Sequence, residues 1–316
     1  MVRISLSDQI LDNAVPASSF VRRGKPRWLR MQLPRGPQYQ QLAGLIVDHD
    51  LHTVCQEAAC PNMGECWSNG VATVMILGDT CTRSCGFCNI KTGRPPKLDT
   101  DEPARVAEAV AIMNLRYVVI TSVNRDELPD GGAAIWAQTI RRIREASPQT
   151  QIEVLIPDFC GDRDALRTVL DARPDVVNHN LETVPRLYRA VRPQARYGQS
   201  LELLRRVKEQ GFVAKTGIMV GIGERDEEVE SLMGDVVEQT RTDRGSCDIL
   251  TIGQYLQPSP RHLPVHRFVH PDRFEHFKQA GQSLGLLHVE SGPMVRSSYH
   301  ADRQAALVHG SASASS

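Results

Sequence analysis

The sequence predicts an α/β protein built on a parallel sheet. From Val71 onward, short β-branched runs alternate with longer amphipathic ones, and the alternation repeats as six strand–helix pairs in one series. A strand–helix series of this kind forms a parallel sheet with right-handed crossovers. Six units are too few to close an eight-fold barrel. The sheet is therefore open, either doubly wound or curved into a partial barrel. In both architectures the chemistry collects at the C-terminal ends of the strands.

The elements follow in order. Residues 1–70 are rich in Pro, Gly and Arg with few periodic runs, which predicts an N-terminal extension laid over another part of the molecule. Residues 71–285 carry the repeating units. The expected strands are Thr73–Leu77, Tyr117–Thr121, Ile152–Ile156, Val176–His179, Val213–Val220 and Ile249–Tyr255. The expected helices are Glu102–Met113, Ala133–Ala146, Arg163–Ala172, Ser200–Gln210, Glu227–Gln239 and Pro271–Leu284. Thr100-Asp101-Glu102-Pro103 offers a cap, first-turn acids and a proline near a helix start. Asp226-Glu227-Glu228 places negative charge where the helix dipole is positive. Residues 286–316 form a C-terminal extension, and its low-complexity end from His309 is expected to be disordered.

Charge is balanced, with 37 basic and 37 acidic residues, which argues against nucleic acid as the main partner. The local exception is the basic run Arg22, Arg23, Lys25, Arg27, Arg30 and Arg35, read as a solvated segment or a docking patch for an acidic partner protein. No apolar stretch approaches the ~20 residues that cross a bilayer. Met1–Ser19 carries Asp8 and Asp12 and lacks the order of a secretory signal, so the expectation is a cytoplasmic chain without a membrane partner.

Six of the eight cysteines fall between residues 55 and 88. Clustered cysteines in a chain of this length read as metal ligands rather than as a disulfide scaffold. Cys160 and Cys247 stand apart and read as free thiols. Cys81-Thr-Arg-Ser-Cys85-Gly-Phe-Cys88 follows the first expected strand directly. Thiolates at C-x3-C-x2-C spacing can take three irons of a cubane and leave the fourth open to a chelating molecule. A structural zinc site wants four closed ligands, and Asn89 is a poor fourth. The second set, Cys55-x4-Cys60-x5-Cys66, is by itself a second cluster, an incomplete zinc site or three unrelated thiols. His262, His266, His270 and His276 do not share one helix face and read as loop or surface residues.

The C-x3-C-x2-C loop after the first strand resembles the radical S-adenosylmethionine (SAM) superfamily. That resemblance selects a partial (β/α)6 TIM-type barrel. It also implies a SAM molecule bound through the open iron and cleaved to a 5′-deoxyadenosyl radical. Within the superfamily, Thr53-Val54-Cys55, Cys60-Pro61-Asn62, Glu65-Cys66-Trp67 and Arg296-Ser297-Ser298-Tyr299-His300-Ala301 are similar to the lipoyl synthase family. So are Thr121-Ser122-Val123, Asn178-His179-Asn180-Leu181-Glu182-Thr183, Val191-Arg192-Pro193, Lys215-Thr216-Gly217 and Tyr255-Leu256-Gln257-Pro258. The similarity spans about Arg27 to Ala301, with Gln56 standing where the family often has Glu.

The lipoyl synthase resemblance implies two 4Fe–4S clusters, one held by Cys81, Cys85 and Cys88 and an auxiliary one held by Cys55, Cys60, Cys66 and Ser298. It implies insertion of two sulfur atoms, at C6 and C8 of a protein-bound octanoyl-lysine, with the auxiliary cluster as sulfur donor. Thr121, Asn180, Glu182, Arg192 and Lys215, at or near strand ends, are the expected SAM contacts. The implied partners are octanoylated lipoyl carrier domains of a 2-oxoacid dehydrogenase or the glycine cleavage system, an electron donor such as ferredoxin or flavodoxin, and an iron–sulfur carrier protein. A biotin synthase-like sulfur inserter and a non-catalytic iron–sulfur protein are the rival readings.

Overall fold

The computed structural model describes residues 24–29, 52–53 and 62–313. It begins with a 3-10 turn at Arg27–Leu29, the short strand β1 (His52–Thr53) and the helix α1 (Met63–Ser68). The first barrel strand, β2 (Val71–Ile76), is followed by a two-stranded ribbon, β3 (Thr80–Cys81) with β4 (Lys91–Thr92). The repeating units are then α2 (Glu102–Ile112), β5 (Tyr117–Ser122), α3 (Ala133–Ala146), β6 (Gln151–Leu155), α4 (Arg163–Asp171) and β7 (Val176–Asn178). They continue with α5 (Tyr188–Val191), α6 (Tyr197–Glu209), β8 (Val213–Val220), α7 (Asp226–Gln239), β9 (Ile249–Gln254), α8 (Pro271–Ser283), β10 (His288–Gly292) and α9 (Ala301–Ser313).

All six expected strands are present, each within two residues of its expected limits. They lie in one eight-stranded sheet of order β1-β2-β5-β6-β7-β8-β9-β10. Every pair from β2 to β10 is parallel, and only β1 runs antiparallel, against β2. Among the described residues the ends of the sheet do not pair with each other, so the barrel is open. The sequence reading missed β10 because His-Val-Glu-Ser-Gly has one strong strand former. Pairing with β9 along its whole length, not propensity, makes it a strand.

Alternation along the strands builds two cores. Val118 and Ile120 of β5 face outward into the large core with α2 and α3 residues such as Val106, Val110, Trp136 and Ile140. Tyr117 and Val119 face inward with Val71 and Val176, and there they meet Ala301 and Ala305 of α9. Two small residues four apart let α9 approach the strands closely. Arg116, just before β5, ties that helix down through Asp302 at 2.7 Å. The final helix thus covers the N-terminal mouth of the barrel, while the C-terminal mouth carries the loops. It continues to Ser313, past the point from which the tail was expected to be disordered.

The barrel interior also holds a polar knot. Glu153 accepts hydrogen bonds from Lys215 Nζ at 3.0 Å, Tyr117 Oη at 2.9 Å and Asn178 Nδ2 at 3.1 Å. Both members of the ion pair are fully buried. Such a pair tolerates no loss of one partner, because the other becomes an uncompensated buried charge. Among the described residues, no helix is long and apolar enough to cross a membrane. Replacing Lys215→Met is expected to cost about 3–5 kcal/mol of stability, read as a lowered denaturant midpoint at unchanged slope.

Candidate functional site

The cysteine loop hangs from the C-terminal end of β2. Leu77 and Gly78 turn the chain at positive φ (70° and 90°), and their N–H groups donate to the Glu102 carboxylate at 2.7 and 3.4 Å. Cys81, Cys85 and Cys88 follow, all partly buried. Cys81 Sγ accepts backbone N–H bonds from Arg83 at 3.4 Å and Asn124 at 3.3 Å. Gly86 is pinned by its N–H to Val191 O and its carbonyl to Leu263 N, both 3.0 Å. A Cβ there would stand 2.8 Å from Leu263, so close packing requires glycine. His262 is more than a surface residue, since its Nε2 lies 2.9 Å from the Cys88 carbonyl and donates to it.

Arg83, between the first two cysteines, fixes the loop to two strand ends. Its guanidinium donates to both oxygens of Asp126 at 2.8 Å and to Asp158 at 2.6 and 2.9 Å. Burial opposes ionisation of both carboxyls, but the Arg83 bonds and charge outweigh it and hold them below the usual carboxylate range. Sequence reasoning missed this clamp. Its signal was an arginine inside the motif and an aspartate just past each of two strands.

The thiols themselves fit a cluster. Burial pushes Cys85 up to about 12 and Cys88 up to about 11, with the neighbouring thiols and Glu182 adding to it and Arg192 opposing it at Cys85. Desolvated, mutually repelling thiols do not ionise alone at neutral pH, and iron in place of their protons would relieve both penalties. Among the described residues, no three His, Cys, Asp or Glu side chains form a site for a single metal ion. Thiolates of a cluster have no need to converge in that way, because each meets its own iron.

The structure divides the five expected ligand contacts. Asn180, Glu182 and Arg192 stand together beyond β7. Asn180 Nδ2 donates to Glu182 Oε1 at 3.0 Å, and Arg192 Nη1 donates to the Asn180 carbonyl at 2.6 Å. Burial raises the Glu182 carboxyl, with Arg192 and Asn180 pulling the other way. Thr121 lies near the end of β5 and spends its hydroxyl on the Leu155 carbonyl at 3.0 Å. Lys215 is third in β8, far from the strand end, and its ammonium is consumed by Glu153 inside the barrel.

The two terminal motifs meet. Cys66 of α1 and Ser298 line one small cleft with Asn62, Met63, Thr73 and Arg296. Asn62 Nδ2 donates to the Met294 carbonyl at 2.7 Å across 232 residues of sequence. Glu65 accepts from Tyr299 Oη at 3.3 Å and pairs with His300 Nε2 at 3.2 Å. Ser297 Oγ accepts from Asn180 Nδ2 at 2.8 Å, which joins this second site to the first. Cys55, Cys60 and most of the Arg22–Arg35 run lie outside the described residues.

Comparison with known proteins agrees with this geometry. Residues 75–236 match the family model of the Radical SAM superfamily. A lipoyl synthase of Rubrobacter xylanophilus is 58% identical over 90% of this chain and 87% of its own length. The chain belongs to the lipoyl synthase family. A mitochondrial lipoyl synthase of Nematostella vectensis is 51% identical over 89% of this chain and 95% of its own. Among solved structures, the hydrogenase maturase HydG has a TM-score of 0.53 at 13% identity, covering 74% of this chain and 62% of its own. That level of likeness speaks for the shared fold alone. Membership of this family makes the chain a radical SAM enzyme of the sulfur-inserting kind that uses SAM and a 4Fe–4S cluster.

The Glu65 contacts have a measurable consequence. Glu65→Ala removes the acceptor shared by Tyr299 and His300. Amide exchange across residues 294–300 is then expected to speed up while exchange in β5 stays unchanged.

Proposed function

We propose that this chain is a lipoyl synthase with two clusters, Cys81, Cys85 and Cys88 holding the SAM-cleaving one and Cys55, Cys60, Cys66 and Ser298 holding the one consumed as sulfur source. The observation that carries the reading is the meeting of Cys66 and Ser298 in one cleft, in a chain whose barrel mouth already carries a three-thiol loop. A biotin synthase-like enzyme has no call for both terminal motifs at one place. Ser298 is a hard oxygen donor among soft thiolates, which suits a corner iron that must be released.

When bound, the first cluster with SAM supplies a 5′-deoxyadenosyl radical able to take hydrogen from an unactivated C–H bond. The residues of the chain prepare for that. Arg83 and Gly86 keep the cysteine loop over the mouth of the barrel. Arg192, Asn180 and Glu182 offer a cation, an amide and a carboxyl for the polar ends of SAM. Ser297, bonded to Asn180, holds the Ser298 segment against the same mouth, so that the octanoyl C6 and C8 can reach both the radical and the sulfur source. Each insertion would exchange one C–H hydrogen, carried off in deoxyadenosine, for sulfur from the group held by Cys66 and Ser298, whose iron would take up the electron left by C–S bond formation, at the cost of one SAM and one reductant electron.

The substrate is an octanoylated lipoyl carrier domain of a 2-oxoacid dehydrogenase or of the glycine cleavage system. The electron comes from a ferredoxin- or flavodoxin-type donor, and an iron–sulfur carrier protein restores the spent cluster. The reading assigns the chain to the cytoplasm, a compartment in which thiols remain reduced.

Product mass analysis with an octanoylated carrier domain, SAM and a reductant tests the reading. Cys81→Ala, Cys85→Ala or Cys88→Ala is expected to abolish deoxyadenosine release. Cys66→Ala is expected to preserve that release and abolish lipoyl product. Lipoyl product from the Cys66→Ala protein would overturn the sulfur-source assignment. Without cluster repair, wild-type product is expected to stop near one lipoyl group per chain, and sustained turnover would contradict consumption of the second cluster.

A further inference from the structure

Behind Arg192 lies a chain of buried polar groups that the reading above does not use. His179 follows β7 and is 1% exposed, Ser200 in the first turn of α6 is fully buried, and Tyr188 of α5 is 5% exposed. His179 Nδ1 lies 2.8 Å from the Ile156 carbonyl and its Nε2 lies 2.9 Å from Ser200 Oγ. Ser200 Oγ is also 2.9 Å from Tyr188 Oη, which is 2.9 Å from Arg192 Nη1. The Arg192 guanidinium stands 5.5 Å from the centre of the Tyr188 ring.

Proton bookkeeping leaves one direction for this chain. The Ile156 carbonyl can only accept, so Nδ1 of His179 carries the proton and a neutral Nε2 accepts. Ser200 must spend its single proton on that nitrogen. Tyr188 then donates to Ser200 Oγ, and Tyr188 Oη is left to accept from Arg192. Burial, helped by the Arg192 charge, pushes His179 down to about 4, which keeps the imidazole neutral as this order requires. At its other end Arg192 spends Nη1 on Tyr188 and the Asn180 carbonyl. Its Nε and Nη2 have no hydrogen-bond partner among the described residues, and its charge acts on Cys85 and Glu182.

We propose that His179, Ser200 and Tyr188 form a one-way hydrogen-bond relay that positions Arg192, holding its unpartnered nitrogens ready for the anionic end of SAM beside Cys85. The three are positioning residues, and their role rests on the reading of Arg192 as a SAM contact. The buried carbonyl of Ile156 anchors the relay to the end of β6, so the arginine inherits its orientation from the sheet and not from its own loop.

The test uses the full chain with both clusters reconstituted, assayed for deoxyadenosine release against SAM concentration. Arg192→Gln is the reference variant. Tyr188→Phe, which removes one oxygen, is expected to raise KM for SAM about tenfold with kcat, iron content and Tm near wild type. Ser200→Ala is expected to raise KM in the same way, and the double variant to raise it no further than Tyr188→Phe, since one break already interrupts the relay and leaves Arg192 only its bond to the Asn180 carbonyl. A raised KM for Arg192→Gln with an unchanged KM for Tyr188→Phe and Ser200→Ala would overturn the relay and leave the role of Arg192 standing. An unchanged KM for Arg192→Gln would overturn both. Effects that multiply in the double variant, or that follow losses of iron and Tm, would also overturn the relay.

Discussion

The guanidinium of Arg83 is the interaction on which the rest of the site depends. Three thiols of one short loop must be held over the mouth of an open sheet, where strand pairing supports only Cys81, in a ribbon two residues long. Arg83 supplies that support by bonding to both oxygens of Asp126 and both of Asp158, which follow adjacent strands. The arginine side chain is 4% exposed and Asp158 is 1% exposed, so the pair is desolvated and rigid. Its geometry also explains why the element before it can be so short. The β3–β4 ribbon has only two residues per strand, and it needs no more because the loop is tied to the barrel from inside.

The open barrel gives the C-terminal segment its path. From β10 the chain turns back, and Val295 O would lie 2.1 Å from a Cβ at position 253, so Gly253 of β9 is what permits the approach. Ser297 then bonds to Asn180 at the mouth, Ser298 reaches the cleft with Cys66, and α9 closes the far end of the barrel. One continuous segment therefore visits the proposed SAM site, the proposed second site and the inner core. Among the described residues β10 does not pair with the β1 edge of the sheet, and that gap leaves room for it.

Much of this was legible in the sequence, and the limits have physical causes. The six strands were readable because each is β-branched and flanked by a turn, and the cysteine loop because its spacing is local. β10 escaped because its five residues become a strand only through β9. Lys215 was misplaced as a strand-end ligand contact because sequence position does not show which face a strand residue takes. Its third position in β8 puts it level with Asn178 of β7 and inside the barrel. Arg83, Glu65 and the His179 relay were invisible for a different reason. Apart from the local Tyr188–Arg192 bond, their partners lie from 12 to 235 residues away, and only the folded chain brings them within 3.5 Å. Ser298 stands among the proposed ligands through family motifs alone, since no local rule would separate it from an ordinary turn serine.

The two proposed cluster sites differ in how they are fastened, and the difference follows their chemistry. Around the first, the clamp is a buried charge pair whose disruption costs about 3–5 kcal/mol, as suits a centre that must survive every turnover. Around the second, Glu65 is 51% exposed and its pair with His300 is open to water. Exposed pairs of that kind contribute about 0–1 kcal/mol each. A segment held by such contacts can lift Ser298 away and re-form without disturbing the barrel beneath it. A sulfur source that is dismantled and rebuilt needs that property, while the radical-generating loop needs the opposite. Among the described residues, the fold meets both demands by hanging the Cys81–Cys88 loop from a barrel strand and setting Cys66 on the short helix α1 ahead of that strand.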